Sequence, residues 1–162
     1  MTQEDKDLLL KDLCARLSYK TIILFNNKHK FTLNQMNPYQ YAGKDGYGVI
    51  FDFGGKVYSV EDCKPYLRPM SSMTEEERLE LLEVVVGKDA IKYFQVLIDG
   101  SIDNTDAAYQ DLQHFTMHWV NFDGINTASY LDWLNAHHFD YRGLIEKNLA
   151  IAVTEENNPY KG

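Results

Sequence analysis

Between Thr21 and Val60 the hydrophobic period switches from helical to alternating, and a turn signal interrupts it every few residues. This stretch limits the fold most. Residues two apart share one face of a strand, whereas a helix needs a spacing of three to four. Thr21-Ile22-Ile23-Leu24-Phe25 is rich in β-branched residues and reads as a strand. Asn26-Asn27-Lys28 reads as a turn, and Lys30 to Met36 alternates until Asn37-Pro38 breaks it. Tyr39 and Tyr41 resume the alternation, Lys44-Asp45-Gly46 turns, and Tyr47 to Phe53 follows. Gly54-Gly55 is the clearest hairpin turn, and Lys56 to Val60 closes it. Four or five short strands within about 40 residues predict a small, strongly bent antiparallel sheet, of which an SH3-like barrel is one form.

Helical signals flank this stretch. Thr2 and Asp5 form an N-cap with an acid in the first turn, and Leu9, Leu10, Leu13, Cys14 and Leu17 recur at helical spacing. A helix is expected over 3–17, with Lys6, Asp7, Lys11 and Asp12 on its polar face. Residues 61–70 read as irregular, since Pro65 and Pro69 exclude a helix. Thr74 and Glu77 make a capping box for a helix ending near Gly87. Residues 90–98 fit helix or buried strand equally. Further helices are expected from 103 to about 119 and from Asn126 or Thr127 to about His137. A helical turn at 142–147 ending on a left-handed Asn148, a strand over 149–153 and a mobile tail from Glu155 complete the chain. The class is α+β: an N-terminal helix and small antiparallel sheet over 1–70, then a helical part over 71–162 packed on it.

Composition narrows the function. Charged residues make up 25% and hydrophobic ones 44%, as in globular proteins, which argues against disorder. Sixteen Lys and Arg against twenty-four Asp and Glu give −8, so general phosphate-backbone binding is disfavoured and nucleic acid is not an expected partner. The excess is local: residues 71–127 hold three basic and eleven acidic residues. Such a segment is either a solvated face or a surface steering a basic partner. No apolar run reaches the roughly 20 residues of a membrane span. The acidic start lacks the pattern of a secretory signal, so a cytoplasmic chain is expected. Cys14 and Cys63 are too few for a disulfide scaffold and are expected as buried, reduced thiols.

Three stretches carry a resemblance: Glu4 to Leu17, 64–77 (KPYLRPMSSMTEEE) and Tyr130 to Lys147, which includes DWLNAHHFDYRGLIEK at 132–147. Together they resemble a set of short proteins encoded by gut anaerobic bacteria, often in phage and mobile-element regions. The resemblance implies a small intracellular protein linked to phage or mobile elements, and transfers no activity and no catalytic residue.

Several constellations are candidates for chemistry. Asp111, His114 and His118 stand at i, i+3 and i+7, and a His pair at i, i+4 can hold Zn²⁺, with His137, His138 and Asp140 as further donors. The same histidines in an aromatic-rich helix also fit a packing role. Cys14 and Cys63 lack the basic cluster or helix N-terminus that would activate a thiol. Tyr39, Tyr41, Tyr47 and Tyr58 fall on the expected strands, where tyrosines stack on ligands or simply fill the core. Arg68, Trp133 and Arg142 are expected to join the two parts, with the arginines paired to Asp132 or Asp140, or else to form a partner surface. The leading expectation is a non-enzymatic cytoplasmic binding or accessory protein with no cofactor, acting on a protein with a basic surface. The alternatives are a zinc-dependent hydrolase on the His/Asp site and an acidic inhibitor mimicking nucleic acid.

Overall fold

The computed structural model describes residues 1–42, 46–51, 56–86 and 127–161. The chain is α+β and divides into two units: Met1–Ser72 together with Leu134–Gly162, and Met73–Trp133. Residues 134–162 thus fall in the unit that holds Met1–Ser72.

Helix α1 (Gln3–Ala15) opens as its sequence predicts: the Thr2 hydroxyl accepts from the Asp5 amide, and the Asp5 carboxylate accepts from the Thr2 amide. Those bonds to its charged form hold the Asp5 carboxyl below its usual range. Leu9, Leu10 and Leu13 enter a core with Ile23, Phe31, Leu33, Val60, Cys63, Leu67, Leu144 and Leu149. The expected polar face is partly buried: Lys6 pairs with Glu61 just before β6, and Asp12 is wholly enclosed. Cys14 is exposed instead of buried, since the helix turns that position outward; Cys63 is buried as expected.

Strands β1 (Ile22–Phe25), β2 (His29–Thr32), β3 (Gln35–Ala42), β4 (Gly46–Phe51), β5 (Val57–Ser59), β6 (Cys63–Leu67) and β7 (Ile151–Ala152) form two sheets. One is the antiparallel meander β3-β4-β5, and the other runs β2-β1-β6-β7 with a parallel β6–β7 pair. The single antiparallel sheet expected from the sequence is therefore two sheets, one of them mixed. Asn26 and Asn27 make the β1–β2 turn with left-handed backbone, φ 47° and 56°, which matches strand twist. The break expected at Asn37-Pro38 lies earlier, after Thr32. Pro38 sits inside β3 at a register shift between Asn37 and Tyr41, where a missing N–H is tolerated.

The larger correction concerns 61–70. Pro65 excludes a helix, and the segment becomes the interior strand β6. Pro65 pairs with Ile23 on the β1 side, while pairing with β7 starts only at Tyr66, so the proline needs no second ladder. Residues 142–147 form hydrogen-bonded turns rather than a helix, with Gly143 at φ 72° and Asn148 left-handed as expected at φ 58°.

The second unit contains α2 (Glu75–Val86) and most of α3 (Thr127–Ala136). Thr74 and Glu77 form the expected reciprocal cap of α2, at 2.9 and 3.2 Å. Leu81, Leu82 and Val85 are buried on one side of α2. No helix among the described residues is long and apolar enough to cross a membrane. Stretches 90–98 and 103–119, Gly87 and the turns at 43–45 and 52–55 lie outside the described residues.

The expected mobile tail is tied down. The Tyr160 hydroxyl donates to the Tyr66 carbonyl at 2.8 Å and accepts from the Ile22 amide at 3.2 Å. The phenol thus bridges β6 and β1 just beyond their last ladder pair, and burial pushes its own ionisation up to about 12. Asn157 holds the approach, accepting from the Thr154 amide and donating to the Ala152 carbonyl. Tyr160→Phe removes the bridge while keeping the ring, and is expected to lower unfolding free energy by about 1 kcal/mol in urea denaturation. Unchanged stability would mean that the tail contributes nothing to the sheet.

Candidate functional site

The most unusual chemistry among the described residues begins at the end of α1. Asp12 and Arg16 are one helical turn apart, and both side chains are 0% exposed. Arg16 Nε donates to Asp12 Oδ2 at 2.7 Å, and Nη2 donates to Oδ1 at 3.1 Å. This two-pronged geometry is the strongest form of a carboxylate–guanidinium contact. The same Nη2 donates to the Phe139 carbonyl at 2.7 Å, a residue 123 positions away.

A second guanidinium approaches the same carboxylate. Arg142 Nε lies 3.3 Å from Asp12 Oδ1, close enough for an ion pair but outside hydrogen-bond alignment. The guanidinium carbons of Arg16 and Arg142 stand 5.4 and 4.8 Å from the centre of the Tyr141 ring. Arg142 Nη2 donates to the Tyr141 hydroxyl at 3.1 Å, which in turn donates to Asn135 Oδ1 at 3.1 Å. The Asp140 oxygens, on the same turn, accept from the Leu144 and Ile145 amides at 3.0 and 2.8 Å. Two arginines therefore share the Asp12 carboxylate.

The neighbouring turn is locked from the other side. Arg68 donates its amide to the His138 carbonyl and accepts at its own carbonyl from the Asp140 amide, both at 2.8 Å. The Arg68 guanidinium lies 4.2 Å from the centre of the Phe139 ring and reaches the Ser72 carbonyl. His138 holds left-handed backbone at φ 59° and stacks on Tyr160 with ring centres 3.9 Å apart. Burial, with Arg16, His137 and Arg68 beside it, pushes His138 down to about 4, so its imidazole is neutral at pH 7.

Several expected site residues are placed differently. Tyr58 is core, with Phe31 stacked on it at 4.4 Å and Phe25 at 4.7 Å. Backbone pairing sets Tyr41 of β3 opposite Tyr47 of β4, and Tyr39 falls in the register shift. Trp133 is buried in the second unit, not on an open surface. Arg142 pairs with Asp12 rather than Asp140, because the backbone amides already occupy Asp140. Asp111, His114 and His118 lie outside the described residues, and among those described no group of three or more His, Cys, Asp or Glu could hold a metal. Burial pushes the Cys63 thiol up to about 12, which leaves it an inert nucleophile.

Sequence reasoning singles out neither Asp12, Arg16 nor Tyr160 as a site residue, and takes His138 only as a further metal donor. The available signal was an opposite-charge pair at i, i+4, which usually sits in solvent. Asp12 and Arg16, Arg68, and Asn135 to Arg142 fall in the three stretches that carry the sequence resemblance.

Comparison with protein-family models, curated proteins and solved structures returned no match. The site is therefore defined by its own geometry.

Two measurements check it. Asp12→Asn leaves Arg16 buried without a counter-charge and should cost roughly 3–5 kcal/mol in urea denaturation, while replacing Asp12 and Arg16 together by Leu and Met should cost less. For His138, the unfolded chain binds a proton near 6.5 and the folded chain only near 4. The unfolded state is protonated first as pH falls, so stability should decline from about pH 6.5 down to about pH 4 and level off below. His138→Asn, which accepts the left-handed backbone, should remove that part of the profile; an unchanged profile would assign it to another group.

Proposed function

We propose that this chain is a small non-enzymatic binding or accessory protein, and that the outer face of α2 contacts a protein with a basic surface. A cytoplasmic location and a link to phage or mobile elements belong to the same proposal. The observation that carries it is the composition of that face. Glu76 and Glu80 are exposed one turn apart, flanked by Leu79 at 45% and Val84 at 39% exposure. Glu83 extends the stripe at helical spacing. Like charges at i, i+4 destabilise a helix by about 0.2–0.5 kcal/mol. A cationic partner offsets that repulsion, and the flanking apolar side chains give it area to bury. Leu81, Leu82 and Val85 are buried on another side of the helix, so α2 is already anchored.

Charge reversal at Glu76 and Glu80 in the whole chain tests this. Partners captured by the unaltered protein should present basic surfaces, bind less tightly as salt rises, and lose roughly tenfold in affinity with Glu76→Lys and Glu80→Lys combined. Binding unchanged by the reversal would refute the α2 face. Competition by DNA for the same partner would favour an acidic mimic of nucleic acid.

A further inference from the structure

We propose that the outer edge of β2 docks an extended acidic segment of another protein, which adds to the sheet as a further strand. It is independent of the α2 contact. Among the described residues, β2 ends the sheet β2-β1-β6-β7. The Leu33 amide donates to the Thr21 carbonyl at 2.8 Å, which sets the alternation of the β1–β2 ladder. Ile22 stands opposite Thr32 and Leu24 opposite Lys30. In that alternation the backbone amides and carbonyls of Lys30 and Thr32 point away from β1. The other edge is finished differently: Asn157 Nδ2 donates to the Ala152 carbonyl of β7 at 2.9 Å. An open row of amides and carbonyls is a template for another strand.

Charge chooses the occupant. The chain carries −8 overall, yet from Leu13 to Lys44 it has no Asp or Glu. Lys28, His29 and Lys30 are exposed in succession where the β1–β2 turn enters β2. Among the described residues, the ion pairs involve neither Lys28 nor Lys30. Glu61 and Asp62 precede β6, across β1 from this edge, and Glu61 pairs with Lys6. A second copy is a poor occupant, because β2 against β2 brings like charges together across the new ladder. Lysine on an edge strand keeps identical edges apart in this way, and an acidic strand is the neighbour it favours.

The faces of β2 define the alternation of the incoming strand. An acid opposite Lys30 lies on one face, and the residue next to it lies on the face of His29 and Phe31. There the His29 ring stands 6.1 Å from Phe31 and 6.0 Å from Tyr58, each tilted by 25°. His29 is exposed, so an apolar side chain of the incoming strand covers the open end of this aromatic stack. The occupant is therefore a segment that alternates acidic and apolar residues.

The test uses the whole chain and a synthetic peptide of about eight residues that alternates glutamate with valine. In amide-resolved NMR, the Lys30 and Thr32 amides should shift as peptide is added and exchange more slowly with solvent. The same peptide with lysine in place of glutamate should leave them unmoved. Lys28→Glu and Lys30→Glu combined should weaken binding roughly tenfold. Thr32→Pro removes an outward N–H, which an edge strand tolerates, and should abolish binding while the Leu33 amide stays protected. The proposal is overturned if the acidic peptide leaves both amides unmoved at millimolar concentration, or if the lysine peptide binds as well. It is equally overturned if binding survives both sets of substitutions, or if the chain instead dimerises through β2.

Discussion

A guanidinium and a carboxylate buried together impose a constraint that apolar packing does not: each must keep its partner or leave the interior. Asp12 and Arg16 are both fully enclosed, and Arg16 spends a further bond on the Phe139 carbonyl. That bond ties the returning segment 134–150 to the end of α1. Such a pair adds little net stability over an apolar replacement, yet its disruption is expensive. Here it links two segments more than a hundred positions apart.

The sheet follows from that return. β6 is an interior strand only because β7 comes back beside it, and a parallel neighbour needs a long crossover. The bridge between Arg68 and Phe139 extends β6 beyond its last residue, and the Val153 amide bonds the Leu67 carbonyl on the β7 side. Tyr160 then closes the splayed end of β1 and β6 with one hydroxyl. Arginine, carboxylate and phenol together do at the sheet's end what ladder hydrogen bonds do in its middle.

Local chemistry was legible in the sequence where a single residue type settles it. Thr2 with Asp5 and Thr74 with Glu77 cap helices because their side chains reach amides three residues away. The β1–β2 turn and left-handed Asn148 follow from asparagine's tolerance of positive φ. What escaped depends on distant partners. Pro65 excludes a helix and makes 61–70 look irregular until β7 is seen to pair from the next residue. Asp12 and Arg16 look like a solvated helical pair until Phe139 and Arg142 cover them. Tyr160 looks like part of a loose tail until its ring is found on His138. Tyr58 and Trp133 drew attention as aromatic binding residues, and each proved buried.

The buried Asp12–Arg16–Phe139 junction makes α1, β1 and residues 134–150 one cooperative body, and native-state hydrogen exchange resolved by residue tests this most directly. The amides of Leu13, Ile23, Phe139 and Leu149 should open with the same free energy and the same denaturant dependence. Exchange of Phe139 and Leu149 at a much lower free energy, with Leu13 and Ile23 still protected, would contradict it: the terminal segment would then dock on the N-terminal part without being built into it.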